Sequence, residues 1–198
     1  MTITALLESH AIVTPVDVVL LLIASTAVAV AWLRQRGRTP AAESRAGRGT
    51  RYAVIWVRYF FGVHALFSGP NYFLHIYPQM QMFHPLAGPF QHYMEAVGLF
   101  AIVKVIESVV GVCLVLNLYV PVAAIVEMPI TFTICYLSVF VVADPRTLWT
   151  GPRELLLNLF LLAAYGGWLA PILKPRIEPY ALWNLAPGGK APARIATR

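Results

Sequence analysis

Lys104 and Glu107 lie three residues apart inside an apolar run, Ala96 to Leu118, that is long enough to cross a bilayer. A charge at the centre of a membrane helix costs about 2.5–3.5 kcal/mol on insertion scales. It persists there when it is paired or when it works. The spacing puts both side chains on one helix face, so ammonium and carboxylate partly neutralise each other. Other polar residues interrupt the neighbouring apolar runs: Arg58, His64 and Asn71 before this stretch, and Glu127 after it. At about 1.5 Å per residue, Arg58 and Glu127 each fall about 8–9 Å from the same end of their runs. His64 falls near mid-membrane with Lys104 and Glu107. This predicts two stacked polar clusters, Arg58 with Glu127, and Lys104 with Glu107 and a neutral His64. Two chemistries fit. Buried ion pairs hold helices in register without reacting. A carboxyl and an imidazole close together relay protons, or grip the headgroup of a quinone or lipid.

Other reaction chemistries find no footing. His75, His84 and His92 are placed at the outer surface, without the convergent spacing of a metal site, so no metal is expected. Cys113 and Cys135 fall at depths roughly 12 Å apart, too far for a disulfide. No phosphate-binding loop, haem-attachment motif or nucleophile–base arrangement is present. No resident cofactor is predicted, with a quinone as the one small molecule the polar clusters bring into question.

The elements that must position these residues are membrane helices. Of the 198 residues, 59% are hydrophobic and 12% charged, against about 25% charged in a soluble domain. The net charge of +6 does not point to nucleic acid. Eleven of the fifteen Lys and Arg fall in two segments, Arg34–Arg51 and Lys174–Arg198, each beside an apolar run. That is the signature of cytoplasmic flanks under the positive-inside rule.

Five spans are expected, with the N-terminus outside and the C-terminus in the cytoplasm of a bacterial inner membrane. The first covers 11–33; no Lys or Arg precedes it, as a secretory signal would require, so it reads as uncleaved. Residues 34–51 read as a flexible basic cytoplasmic linker. A second helix runs outward from Tyr52 to about His75. Its face Arg58, Gly62, Ala65, Gly69 is small enough for another helix to approach closely. His64, Ser68, Asn71 and His75 form a second, polar face, and Gly69-Pro70 is expected to kink or end the helix. An outer loop, Ile76 to Glu95, carries a short half-helix from Pro89. The third helix is Ala96 to Leu118, followed by a tight turn at Asn117-Leu118-Tyr119-Val120-Pro121. The fourth is Val122 to Val142. The fifth opens at Pro152-Arg153-Glu154, with Pro at its first position and Glu at its positive end. A basic tail covers 171–198.

These residues carry a resemblance. Arg58 precedes Gly62 and Ser68-Gly69-Pro70-Asn71-Tyr72-Phe73. Then follow His84-Pro85-Leu86-Ala87, Val103-Lys104-Val105-Ile106-Glu107 with Gly111, and Asn117-Leu118-Tyr119-Val120-Pro121. In this order the chain resembles the DoxX family of small integral membrane proteins over about 52–170. The resemblance implies an all-α polytopic transmembrane bundle, a DoxX-like four-helix unit, to which this chain adds one N-terminal transmembrane helix. Some members are linked to thiosulfate:quinone oxidoreductase or other membrane redox complexes, and eukaryotic relatives resemble assembly or trafficking factors. By position, Arg58, Lys104 and Glu107 match the family's intramembrane charges, and no established catalytic residue comes with them.

The expected function is that of a non-catalytic subunit or scaffold of a redox-linked, quinone-associated membrane complex, working with the lipid bilayer and another membrane protein. The alternatives are a small proton or solute carrier using the buried charges, and a membrane assembly factor.

Overall fold

In a computed structural model of the chain, the structure describes residues 14–36, 45–77 and 84–170. The tail at 171–198 and the middle of the linker, 37–44, lie outside the described residues. What is described is helical, with no strand among the described residues.

Helix α1 spans Pro15–Gln35. Thr14 caps it: the Asp17 N–H donates to Thr14 Oγ1 at 3.2 Å, and the Thr14 N–H donates back to Asp17 Oδ2 at 2.9 Å. Two orphan donors of the first turn are thereby satisfied. Helix α2, Arg45–Leu74, begins inside the stretch expected to be a flexible linker. Residues 45–51 extend its first turns instead. Pro70 does not break it, because the missing N–H lies little more than a turn from the end; His75, in the left-handed region at φ 51°, ends it. Helix α3, Ala87–Ala96, is the expected half-helix. His84 Nδ1 accepts from the Leu86 N–H at its start.

Helix α4, Leu99–Leu116, turns into α5, Val120–Tyr136, at the expected tight turn. Asn117 and Tyr119 are both left-handed, and the Leu118 N–H returns to the Cys113 carbonyl at 2.8 Å. Helix α5 continues as a π-helical segment, Leu137–Val142. Helix α6, Thr147–Ala164, starts five residues earlier than Pro152 led us to expect. The cause is Asp144, whose Oδ1 accepts from the Arg146 and Thr147 N–H groups at 2.9 Å each and founds the helix upstream. A short helix α7, Gly166–Leu169, follows.

Helix α2 packs along α4, α4 along α5, α5 along α6, and α6 returns to α2, while α1 lies against α2. Glycine sets the α2–α4 approach. A Cβ on Gly111 would lie 2.8 Å from the Gly62 carbonyl oxygen, and one on Gly69 would lie 2.7 Å from the Lys104 carbonyl oxygen. The small face expected on α2 is thus spent inside the chain rather than offered to another protein. Three helical stretches are long and apolar enough to cross a membrane: Pro15–Gln35, Leu99–Leu116 and Val120–Val142. Their outward faces present large apolar side chains, including Leu22, Val109, Val122 and Phe132. Such a surface is suited to lipid and not to water. Helices α2 and α6 fall short of that standard because they carry the polar residues that turn inward.

The interior divides along its length. Val57, Phe61, Val110, Leu114, Val120, Ala123, Ala124 and Leu161 form an apolar core where α2 and α5 begin and α4 and α6 end. We call this the Arg51 end. Leu20, Ala24 and Phe60 form a smaller cluster that seats α1. Towards the opposite end, where α1 and α6 begin, the interior is polar. We call this the Asp17 end.

Candidate functional site

Lys104 sits one and a half turns into α4, with 9% of its side chain exposed, and Glu107 one turn further with 7%. Lys104 Nζ donates to Glu107 Oε2 at 2.7 Å, Glu107 Oε1 at 3.0 Å, and Ser68 Oγ of α2 at 2.7 Å. The Phe100 ring lies 5.0 Å from the ammonium. An ammonium has three N–H donors, and all three are used. The pair is therefore self-contained and ties α4 to α2.

His64 was expected beside Glu107. The structure instead puts His64 Nδ1 3.4 Å from Glu154 Oε1 of α6. Glu154, expected to favour a helix start, lies seven residues inside α6, buried. Its neighbour Arg153 reaches α1: Arg153 Nη1 donates to Asp17 Oδ1 at 2.6 Å, while its Nη2 lies 3.9 Å from Glu154 Oε1. The Arg153 guanidinium also lies 5.3 Å from the Phe60 ring. An Asp17–Arg153–Glu154–His64 chain thus crosses from α1 through α6 to α2.

The expected Arg58–Glu127 pair is not among the ion pairs of the described residues. Arg58 Nε donates to the Leu114 carbonyl at 3.0 Å and Nη2 to the Val115 carbonyl at 3.5 Å. Carbonyls at a helix C-terminus lack intrahelical partners and carry the negative end of its dipole, so a guanidinium is well placed there. Arg58 is level with the last turn of α4, whereas the charged groups that act on Glu127 are Glu107, Glu154 and Lys104. Glu127 lies one turn from Thr131, the residue through which α5 bonds α6. Asn158 Nδ2 donates to Thr131 Oγ1 at 3.2 Å, and Thr131 Oγ1 donates to the Glu127 carbonyl at 3.2 Å. Asn71, in the last turn of α2, holds the start of the following loop: it accepts from the Tyr77 N–H and donates to the Tyr77 carbonyl, both at 3.0 Å. Burial pushes the Tyr77 phenol above its usual range, and the nearby Glu107 carboxylate adds to the shift.

Of the six residues picked from sequence, the structure keeps Lys104 and Glu107 together, moves His64 to a new partner, and sends Arg58 and Asn71 to opposite ends. Asp17, Ser68, Thr131, Arg153, Glu154 and Asn158 were missed as site residues. A signal existed for Asn158: it is the one amide in an otherwise apolar stretch, Leu155 to Ala164. The Asp17–Arg153 contact spans 136 positions and had none.

The pairing is incomplete. Asp17, Glu107, Glu127 and Glu154 are buried carboxyls; Lys104 and Arg153 pair with them, with His64 against Glu154. Arg58 is a further buried cation but is held by α4 carbonyls, so Glu127 is the buried carboxyl with no ion-pair partner among the described residues. No group of three or more His, Cys, Asp or Glu among the described residues is arranged to hold a metal ion. No family model matches the chain, and neither a curated protein nor a solved structure does.

Proposed function

We propose that this chain is a five-span membrane protein whose interior is a proton-holding polar half backed by an apolar seal, and that it works as a subunit of a redox-linked membrane complex. In this reading α2, α4, α5 and α6 form the four-helix unit of a DoxX-like protein, and α1 is the added helix, latched by Asp17 and Arg153. The N-terminus lies outside, and the basic Arg51 end lies in the cytoplasm.

The observation that carries the reading is the division of the interior. Polar side chains from α1, α2, α4, α5 and α6 gather towards the Asp17 end, and an apolar cluster occupies the Arg51 end, with Arg58 held against it by the Leu114 carbonyl. A polar layer that stops part-way suits a site loaded from one face. It does not suit a pore that is water-lined throughout, since an apolar stretch is where a pore dewets. The redox partnership rests on the resemblance alone. A quinone, whose carbonyls accept hydrogen bonds, would have to draw on His64, because Lys104 has no donor left.

The test is purification from native membranes in mild detergent, with mass spectrometry of proteins and small molecules together. The subunit reading expects a stoichiometric redox partner, with or without bound quinone. A chain that purifies alone with bulk lipid, and that carries protons across liposomes until Glu107→Gln abolishes the flux, would replace it with the carrier reading. A set of unassembled client proteins would point to the assembly factor.

A further inference from the structure

Two buried acceptor atoms, Glu127 Oε2 on α5 and Asn158 Oδ1 on the adjoining α6, have no hydrogen-bond partner among the described residues. Their residues are 3% and 0% exposed. They are brought into one neighbourhood by Thr131, which lies one turn from Glu127 and accepts from Asn158 Nδ2. With an ionised carboxyl, both atoms are acceptors and neither can satisfy the other. Orphaned buried acceptors of this kind call for an unseen donor, because burial removes the water that would otherwise supply one.

No cation supplies it. Lys104 spends its three donors on Ser68 and Glu107, Arg153 is turned to Asp17 and Glu154, and Arg58 is held by α4 carbonyls. The charged groups that act on Glu127 are Glu107 and Lys104 from α4 and Glu154 from α6, with His64 of α2 facing Glu154. Two of them are acids. A single proton on Glu127 supplies the missing donor and leaves no unpaired carboxylate.

We propose that Glu127 is a proton-binding site, its carboxyl carrying an exchangeable proton that it donates to Asn158 Oδ1, with Asn158 and Thr131 as positioning residues. Asn158 can act as acceptor because Thr131 occupies its Nδ2 and fixes which way the amide points. The apolar cluster of Leu114, Ala123, Ala124 and Leu161 lies on the Arg51 side, so the proton enters from the Asp17 side, past Glu154 and Glu107. The inference rests on the two-part interior proposed above and not on the redox partnership.

Infrared difference spectroscopy of the full chain in lipid nanodiscs tests it, wild type minus Glu127→Gln, since a protonated carboxyl has a C=O band well separated from carboxylate. The expected result at neutral pH is a carboxylic band that disappears in Glu127→Gln, persists in Glu107→Gln, and shifts in deuterated water. In Asn158→Leu the band should move to higher frequency, because the acceptor is gone; this variant also serves if Glu127→Gln does not fold. Absence of a Glu127 carboxylic band at neutral pH overturns the proposal. So does a band unmoved by Asn158→Leu. Loss of the band on adding sodium at constant pH would reassign the site to a metal cation. None of these readings depends on a partner protein, so failure here and failure of the subunit reading are separate outcomes.

Discussion

Replacing Lys104 by Met should destabilise the bundle far more than replacing Lys104 and Glu107 together. In Lys104→Met the Glu107 carboxylate keeps its burial, 5% exposed, but loses both of its short ammonium contacts. Ser68 loses its donor as well. Breaking one side of a buried pair costs about 3–5 kcal/mol, because an uncompensated charge remains. Removing both, as in Lys104→Met with Glu107→Leu, is neutral or stabilising in comparable systems. For a chain of this size about 1 kcal/mol moves the midpoint by about 2–4 °C, so the single variant should lose roughly 6–20 °C and the double variant little. Thermal unfolding in detergent can be followed with a thiol-reactive dye, since Cys113 and Cys135 are free and half-buried. If the single and double variants lose the same amount, the two residues are not a self-contained pair and the reasoning fails.

Gly69→Ala should cost about 1–3 kcal/mol, because its new methyl meets α4 backbone at 2.7–2.8 Å and backbone cannot step aside; an unchanged midpoint in the same assay would contradict the close α2–α4 approach. Arg58→Leu should cost about 1–3 kcal/mol by removing the charged donor from the Leu114 and Val115 carbonyls, of which Leu114 keeps only the long bond from the Asn117 N–H, and amide exchange should rise in the last turn of α4 while its first turn is unaffected. Asp17→Asn should loosen α1 and leave the rest of the bundle intact, seen as a drop in disulfide crosslinking between Leu20→Cys of α1 and Phe60→Cys of α2, both members of the buried cluster that seats α1; crosslinking at the original rate would mean that apolar contact alone holds α1.

Local rules made part of this protein legible from its residues. The i, i+3 spacing of Lys104 and Glu107 needs only a helix to bring the two together, and a helix is what the apolar run provides. The tight turn at Asn117–Tyr119 and the small face of α2 were equally local. Helix ends failed where a capping side chain outweighed a proline: Asp144 founds α6 ahead of Pro152, and Pro70 sits close enough to the end of α2 to be tolerated. Partners across the bundle were the least legible. Depth along a helix follows from counting residues, but rotation about its axis depends on how neighbours pack. Hence Arg58 met the end of α4 rather than Glu127, and His64 found Glu154 rather than Glu107. The self-satisfaction of Lys104, which moves attention to Glu127 and Asn158, depended on Ser68 from another helix.

The central claim is that the interior is polar towards the Asp17 end and sealed towards the Arg51 end. Cysteine accessibility tests it most directly, in oriented membranes with Cys113 and Cys135 removed and an impermeant thiol reagent applied from either face. Ser68→Cys should be labelled from the Asp17 face only, and Leu114→Cys and Leu161→Cys from neither. Labelling of Leu114→Cys or Leu161→Cys from the Arg51 face would mean that water reaches through the apolar cluster, and the account of a one-sided polar interior would be wrong.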